Sequence, residues 1–192
     1  MSPVLAYIAR FIELDEAEEA HFLSIVKPRK FLKRQFVLQA GDICHYETYV
    51  VSGCLKAYFI DPDGNNHIVQ FAIDDWWISD MESLMNGTPA SLNIDAIEDT
   101  EVLQIEKKDF EQLFVKFPKF NALYRKMLMK AFVAHQRRII DNLCKPAKDR
   151  YLGFIKRYRN IEQRVPQHQI ASYLGMTPEF LSQIRRKLAE PS

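Results

Sequence analysis

Glycine is scarce, with six in 192 residues, and proline is limited to nine. Collagen-like and low-complexity chains are thereby excluded. The three cysteines, Cys44, Cys54 and Cys144, are odd in number, widely spaced and without a C-x-x-C pair. No disulfide framework is expected, and a reduced compartment fits. No window approaches ~18 consecutive apolar residues. Met1–Arg10 also lacks a basic stretch followed by an apolar run, so neither membrane span nor signal peptide is expected and a cytoplasmic location without a membrane partner follows. Residues 68–106 contain no Lys or Arg at all.

What is present is a globular composition, 47% hydrophobic and 27% charged, at a length that allows one to two domains and an ordinary core. The net charge of +1 conceals a segregation. Residues 1–144 carry 16 Lys/Arg against 21 Asp/Glu, a net of −5, while 145–192 carry 10 against 4, a net of +6. An acidic body with a basic end suggests a compact nucleic-acid-binding segment joined to something else.

Apolar residues from Leu5 to Val26 recur at helical spacings, with Asp15 as a cap and Pro28 ending that regime. From Arg29 to Ile105 short β-type runs follow at 35–39, 47–51, 55–60, 67–73, 92–96 and 101–105, implying a sandwich or barrel. Asp61-Pro62-Asp63-Gly64-Asn65-Asn66 is a hairpin signal, since Gly64 or Asn65 accepts positive φ. Helical periodicity returns at Lys108–Val115 and dominates from Pro118 to Leu143. Within it Phe120, Tyr124, Met127, Ala131 and Ala134 step by 4, 3, 4 and 3, a coiled-coil-like seam that predicts a dimer; burial within one domain is the plainer alternative. Lys145-Pro146 predicts a hinge, and Ala147–Arg159 a helix burying Tyr151, Leu152, Phe154, Ile155 and Tyr158.

Residues 165–188 read as a helix-turn-helix. Pro166 opens the first helix, Ile170, Ala171 and Leu174 face inward, and Gly175 supplies the positive φ of the turn. Thr177 caps the second helix, Pro178 suits its first position, and Leu181, Ile184 and Leu188 form its buried stripe. The candidate DNA-binding residues are Gln167, His168, Thr177, Pro178, Glu179, Ser182, Gln183, Arg185, Arg186 and Lys187. Glu179 can accept from cytosine N4 and Gln183 can bond adenine twice. Arg185, Arg186 and Lys187 suit phosphates. An ordinary helical hairpin with a solvated basic face is the bland alternative, against which glycine, cap, apolar spacing and charge all agree.

Taken together with Gly41-Asp42, Tyr49-Val50-Val51-Ser52-Gly53, Asp63-Gly64, Asn86-Gly87 and Ala90-Ser91-Leu92, the chain resembles the Crp/Fnr superfamily of bacterial transcription regulators. The short helix-turn-helix ending near Leu188 is similar to Bacteroidetes-type members. The resemblance implies an α+β fold: a cyclic-nucleotide-binding-like β-roll (jelly roll) over 1–117, a dimerisation helix over 118–144 and a winged helix-turn-helix over 145–192. It also implies a homodimer on a two-fold-symmetric site in double-stranded DNA, with RNA polymerase as a further candidate partner.

In cyclic-AMP-binding relatives a Gly-Glu pair takes the ribose and an Arg-Ser/Thr step the phosphate. The matching effector-pocket positions here are Ser79-Asp80 and Ala90-Ser91, and Ala90 cannot meet a phosphate. Cyclic AMP is therefore not expected, and no other cofactor is identified. His21, His45, His67, His135 and His168 are scattered singly and the cysteines do not cluster, so no metal, haem or iron–sulfur site is expected. Trp76-Trp77 reads as core. A wing has room around 159–164, the chain stopping four residues after Leu188. Relatives often have Arg at the positions of Pro178 and Gln183, which leaves an alternative: a ligand-binding regulatory module acting through protein contacts. Catalysis is not expected, because Asp74, Asp75 and Asp80 lack a paired base, nucleophile or phosphate loop.

Overall fold

The computed structural model describes residues 2–158 and 160–189. The N-terminal helices are α1 (Pro3–Ile8) and α2 (Glu16–Ile25). Asp15 accepts from the Glu18 amide at 2.9 Å and the Glu18 carboxylate accepts from the Asp15 amide at 2.8 Å, a reciprocal cap that starts α2 where the sequence predicts.

Eight strands follow: β1 (Val26–Phe31), β2 (Phe36–Leu38), β3 (Tyr46–Ser52), β4 (Leu55–Ile60), β5 (Asn66–Ala72), β6 (Trp77–Ile78), β7 (Asn93–Ala96) and β8 (Thr100–Glu106), with α3 (Met81–Asn86) between β6 and β7. They form two four-stranded antiparallel sheets, β1-β8-β3-β6 and β2-β7-β4-β5. Strand β1 is a correction to the sequence reading, in which Pro28 served only as a breaker. It lies at a sheet edge, where a missing amide and exposed cations are tolerated. At the β3–β4 turn only glycine fits: Gly53 has φ +111°, and a Cβ there would stand 2.7 Å from the Thr100 Cα.

Side-chain alternation sorts the sheet residues into three apolar clusters. Val50, Leu55, Ala57, Ala72, Ile94 and Val102 fill the space between the sheets. Tyr49 and Ile105 point the other way and pack under α1, α2, α4 (Lys107–Lys116) and the first half of α5 (Lys119–Cys144). Ile68 and Phe71 leave the second sheet on its far side and join the C-terminal helices α6 (Ala147–Arg157), α7 (Ile161–Arg164), α8 (Gln167–Tyr173) and α9 (Pro178–Ala189). The turn at Lys145-Pro146 is thus spanned by a continuous apolar cluster that fastens the C-terminal helices to β5.

The first half of the long helix covers the expected stripe, but against the chain's own elements, the plainer of the two expectations. Phe120 is 1% exposed and stacks on Phe22 at 5.6 Å, while Tyr124 lies 5.0 and 5.3 Å from Phe110 and Phe114, and Met127 joins the same cluster. These three cover the chain's own first sheet; Ala131 is exposed and Ala134 half-buried. A 4-3-4-3 spacing marks an apolar stripe without saying what covers it. Leu128, Phe132, Ile139 and Leu143 form a separate stripe on α5 that is 40 to 79% exposed. Two further positions differ: Leu152 and Leu188, read as buried, are 38% and 37% exposed. The segment considered for a wing holds α7, no strand occurs among the described residues of the C-terminal segment, and Arg159 lies outside the described residues.

Candidate nucleic-acid interface and effector pocket

Local chemistry builds the helix-turn-helix. Gly175 takes φ +63°, and the Met176 amide reaches back to the Ala171 carbonyl at 3.0 Å, closing α8 with a left-handed cap. Thr177 Oγ1 accepts from the Phe180 amide at 3.2 Å and starts α9, with Pro178 at its first position. Ile170, Ala171, Leu174, Leu181 and Ile184 are buried between the two helices and the cluster beneath them.

The outward faces of α8 and α9 meet in a groove of about 540 Å³ lined by Gln167, His168, Pro178, Glu179, Ser182, Gln183 and Arg186. Seven of the ten sequence-derived DNA-binding candidates therefore share one concavity, and all but the half-buried Gln167 are exposed. The remaining three are Thr177, spent as the cap, Arg185 and Lys187. Gln167 bridges the helices, donating to the Pro178 carbonyl at 3.4 Å and accepting from Arg185 at 3.2 Å. Arg185 also lies 3.6 Å from the Glu162 carboxylate, so it is partly engaged within the protein.

In the β-roll, Asp80 is 2% exposed, and its carboxylate is already saturated. One oxygen accepts from the Ser83 amide at 3.0 Å, capping α3; the other accepts from the Ser91 and Leu92 amides, both at 3.0 Å, and lies 3.4 Å from Ser91 Oγ. The structure brings Asp80 and Ser91 together as the sequence suggests, but pairs them with each other. Ser79 turns away to donate to Glu47 at 2.7 Å, and Ala90 is buried with its amide on the Asp42 carbonyl at 2.7 Å. Two adjacent amides and a hydroxyl converging on one oxygen make an anion nest, and here the anion is the chain's own. Titration with cyclic AMP is expected to give no saturable binding; micromolar or tighter affinity would overturn this.

Sequence reasoning passed over Glu47. It is buried on the same face of β3 as Tyr49, and burial pushes its carboxyl up to about 7 against a lowering by the Ser79 hydrogen bond. A carboxyl raised from 4.5 in the unfolded chain favours the fold fully below that pH and loses this contribution as pH rises through about 7, a change of about 3 kcal/mol. Urea denaturation should show native stability falling across this window relative to Glu47→Gln. Parallel pH profiles would refute the assignment.

The remaining candidate acids have structural tasks. Asp74 accepts from the Gly53 amide at 3.0 Å; Asp75 binds the Tyr49 hydroxyl at 2.6 Å and Arg10 at 2.5 Å. Among the described residues no group of three or more His, Cys, Asp or Glu is placed to hold a metal, and no helix is long and apolar enough to cross a membrane. Cys44 and Cys54 are buried and Cys144 is exposed, all as free thiols.

Residues 28–117 match the family model for the cyclic nucleotide-binding domain. That match spans just under half of the chain, and the fold as a whole is similar to those of solved transcription regulators. FixK2 from Bradyrhizobium japonicum superposes with a TM-score of 0.74 at 19% identity, covering 85% of this chain and 84% of that one. The c-di-GMP responsive global regulator CLP of Xanthomonas campestris gives 0.71 at 17% identity, covering 91% of each chain. A candidate transcriptional regulator of the Crp/Fnr family from Eubacterium rectale gives 0.69 at 16% identity, covering 91% and 83%. A comparison with curated protein sequences finds no match.

Proposed function

We propose that the protein is a homodimeric, DNA-binding transcription regulator of the short, Bacteroidetes-like Crp/Fnr type, divided into a β-roll over 1–117, a dimer helix over 118–144 and a DNA-binding unit over 145–192. The observation that carries this reading is the helix-turn-helix itself, capped by Gly175 and Thr177 and presenting Glu179, Ser182, Gln183 and Arg186 in one open groove. A groove-lining carboxylate and amide suit base edges, and the neighbouring cations suit phosphates. The β-roll works without cyclic AMP, since its nest is filled by Asp80 and the segment 68–106 offers no cation. RNA polymerase is the further partner such a role implies.

Fluorescence anisotropy with random-sequence duplexes over a salt series tests the reading. Binding that weakens steeply with salt supports it. No binding, or salt-insensitive binding, would favour a module acting through protein contacts.

Dimerisation uses the open stripe of α5 in place of Phe120, Tyr124 and Met127, which are covered within the protomer. Phe132→Glu, placing a charge in the middle of that stripe, should convert a dimer to a monomer in sedimentation equilibrium. In the active dimer the recognition helices stand ~34 Å apart.

A further inference from the structure

Arg138, in the last third of α5, makes no bond to a carboxylate among the described residues; its guanidinium is used entirely on backbone carbonyls. Nη2 donates to the Ile68 carbonyl at 2.9 Å and to the Tyr173 carbonyl at 2.9 Å, and Nη1 donates to the Val69 carbonyl. Its Cζ also lies 4.0 Å from the centroid of the Tyr173 ring, a cation–π contact. One half-buried side chain therefore binds three elements: α5 by its own backbone, β5 through two carbonyls, and the C-terminal end of α8 through a third. Ser172 on α8 reinforces the contact, donating to the Asn66 carbonyl at 2.6 Å and accepting from the Ile68 amide at 3.1 Å.

Two consequences follow from chemistry. The planar fork of arginine can serve several acceptors at fixed angles, whereas lysine is a point donor on a flexible stem. A cation on the last carbonyl of α8 also meets the negative end of that helix, where it is favoured. Because α8 and α9 share a buried seam and the Gln167–Pro178 bridge, whatever fixes α8 also fixes α9.

We propose that Arg138 is a positioning residue for DNA binding: it locks the first helix of the helix-turn-helix to the edge of β5 and to α5, so each protomer presents its recognition helix at one distance and angle from the dimer axis. It touches no base or phosphate itself. A displacement of the β4–β5 hairpin passes to α8 through the same carbonyls. The proposal rests on the DNA-binding reading above, and its own content is the geometric constraint.

The test uses the full-length chain and duplexes carrying two copies of a half-site, selected with the native protein, at varied spacings. The native protein should prefer one spacing sharply. Arg138→Ala should lose about tenfold at the optimal spacing through loss of pre-organisation, flatten the spacing profile, and leave random-duplex affinity and salt slope unchanged. Arg138→Lys should fall between. Hydrogen exchange should show β5 and α8 losing protection together in Arg138→Ala while the cluster of Phe22, Tyr49 and Phe120 stays protected, which separates undocking from unfolding.

An unchanged spacing profile in Arg138→Ala would overturn the proposal while leaving DNA binding intact. Equal losses at every spacing and on random duplex would also overturn it, by making Arg138 a direct phosphate contact or a folding requirement. Failure of the native protein to bind any duplex would remove the DNA reading and this proposal with it.

Discussion

Replacing Arg186 and Lys187 together by glutamine should weaken duplex binding about fiftyfold at about 0.15 M salt and make the plot of log affinity against log salt shallower by about 2. Both side chains are exposed on α9, and no carboxylate pairs with either among the described residues. They are available to displace one condensed counterion each, and at this salt concentration each such release is worth a little under tenfold. Arg185→Gln should change the slope less, because Arg185 is shared between Glu162 and Gln167. Since random-sequence and selected duplexes present the same phosphates, the double variant should weaken both equally. A loss confined to one sequence would mean that these residues read bases, and an unchanged slope would exclude them from the interface.

Phe71→Ala should cost about 3 to 5 kcal/mol in urea denaturation, the range for deleting a fully buried ring. Phe71 is 0% exposed, and its ring lies 5.2 Å from Tyr173, 6.1 Å from Phe154 and 6.4 Å from Tyr158. It is a residue of the second sheet whose neighbours lie on α6, just beyond its end at Tyr158, and on α8, so the cavity opens where the C-terminal helices meet the sheet. The native protein should unfold in one transition because the cluster is continuous across that joint. The variant should unfold in two, with the fluorescence of Trp76, 5.2 Å from Tyr158, reporting the earlier one. A single transition shifted by less than about 1 kcal/mol would show that the joint does not depend on this ring.

The helix-turn-helix was legible residue by residue because each of its signals is local: a glycine that must take positive φ, a threonine cap, a proline at the first helical position, and an apolar stripe. The β4–β5 hairpin was legible for the same reason, with Gly64 at φ +83°. What could not be read is which surface covers an apolar stripe. Phe120, Tyr124 and Met127 have the spacing of a dimer seam and the contacts of a core, and only the placement of Phe22, Phe110 and Phe114 distinguishes the two. Likewise the absence of cations over 68–106 indicated that a phosphate would find no partner, but not that Asp80 occupies the Ser91 and Leu92 amides instead. The joint between Phe71 and Tyr173 joins residues about a hundred positions apart, and no local pattern announces it.

The two sheets have four edges, closed in three ways. Strands β6 and β2, of two and three residues, are too short to template another strand. Strand β1 is blunted by Pro28 and by Lys27, Arg29 and Lys30. Strand β5, seven residues long, has neither defence; its outer carbonyls are covered by Ser172 and Arg138 instead. The helix-turn-helix is therefore also a guard against aggregation. Any excursion that swings it away bares a long, apolar strand edge, and at high protein concentration that edge is where chains would join strand to strand and begin to precipitate.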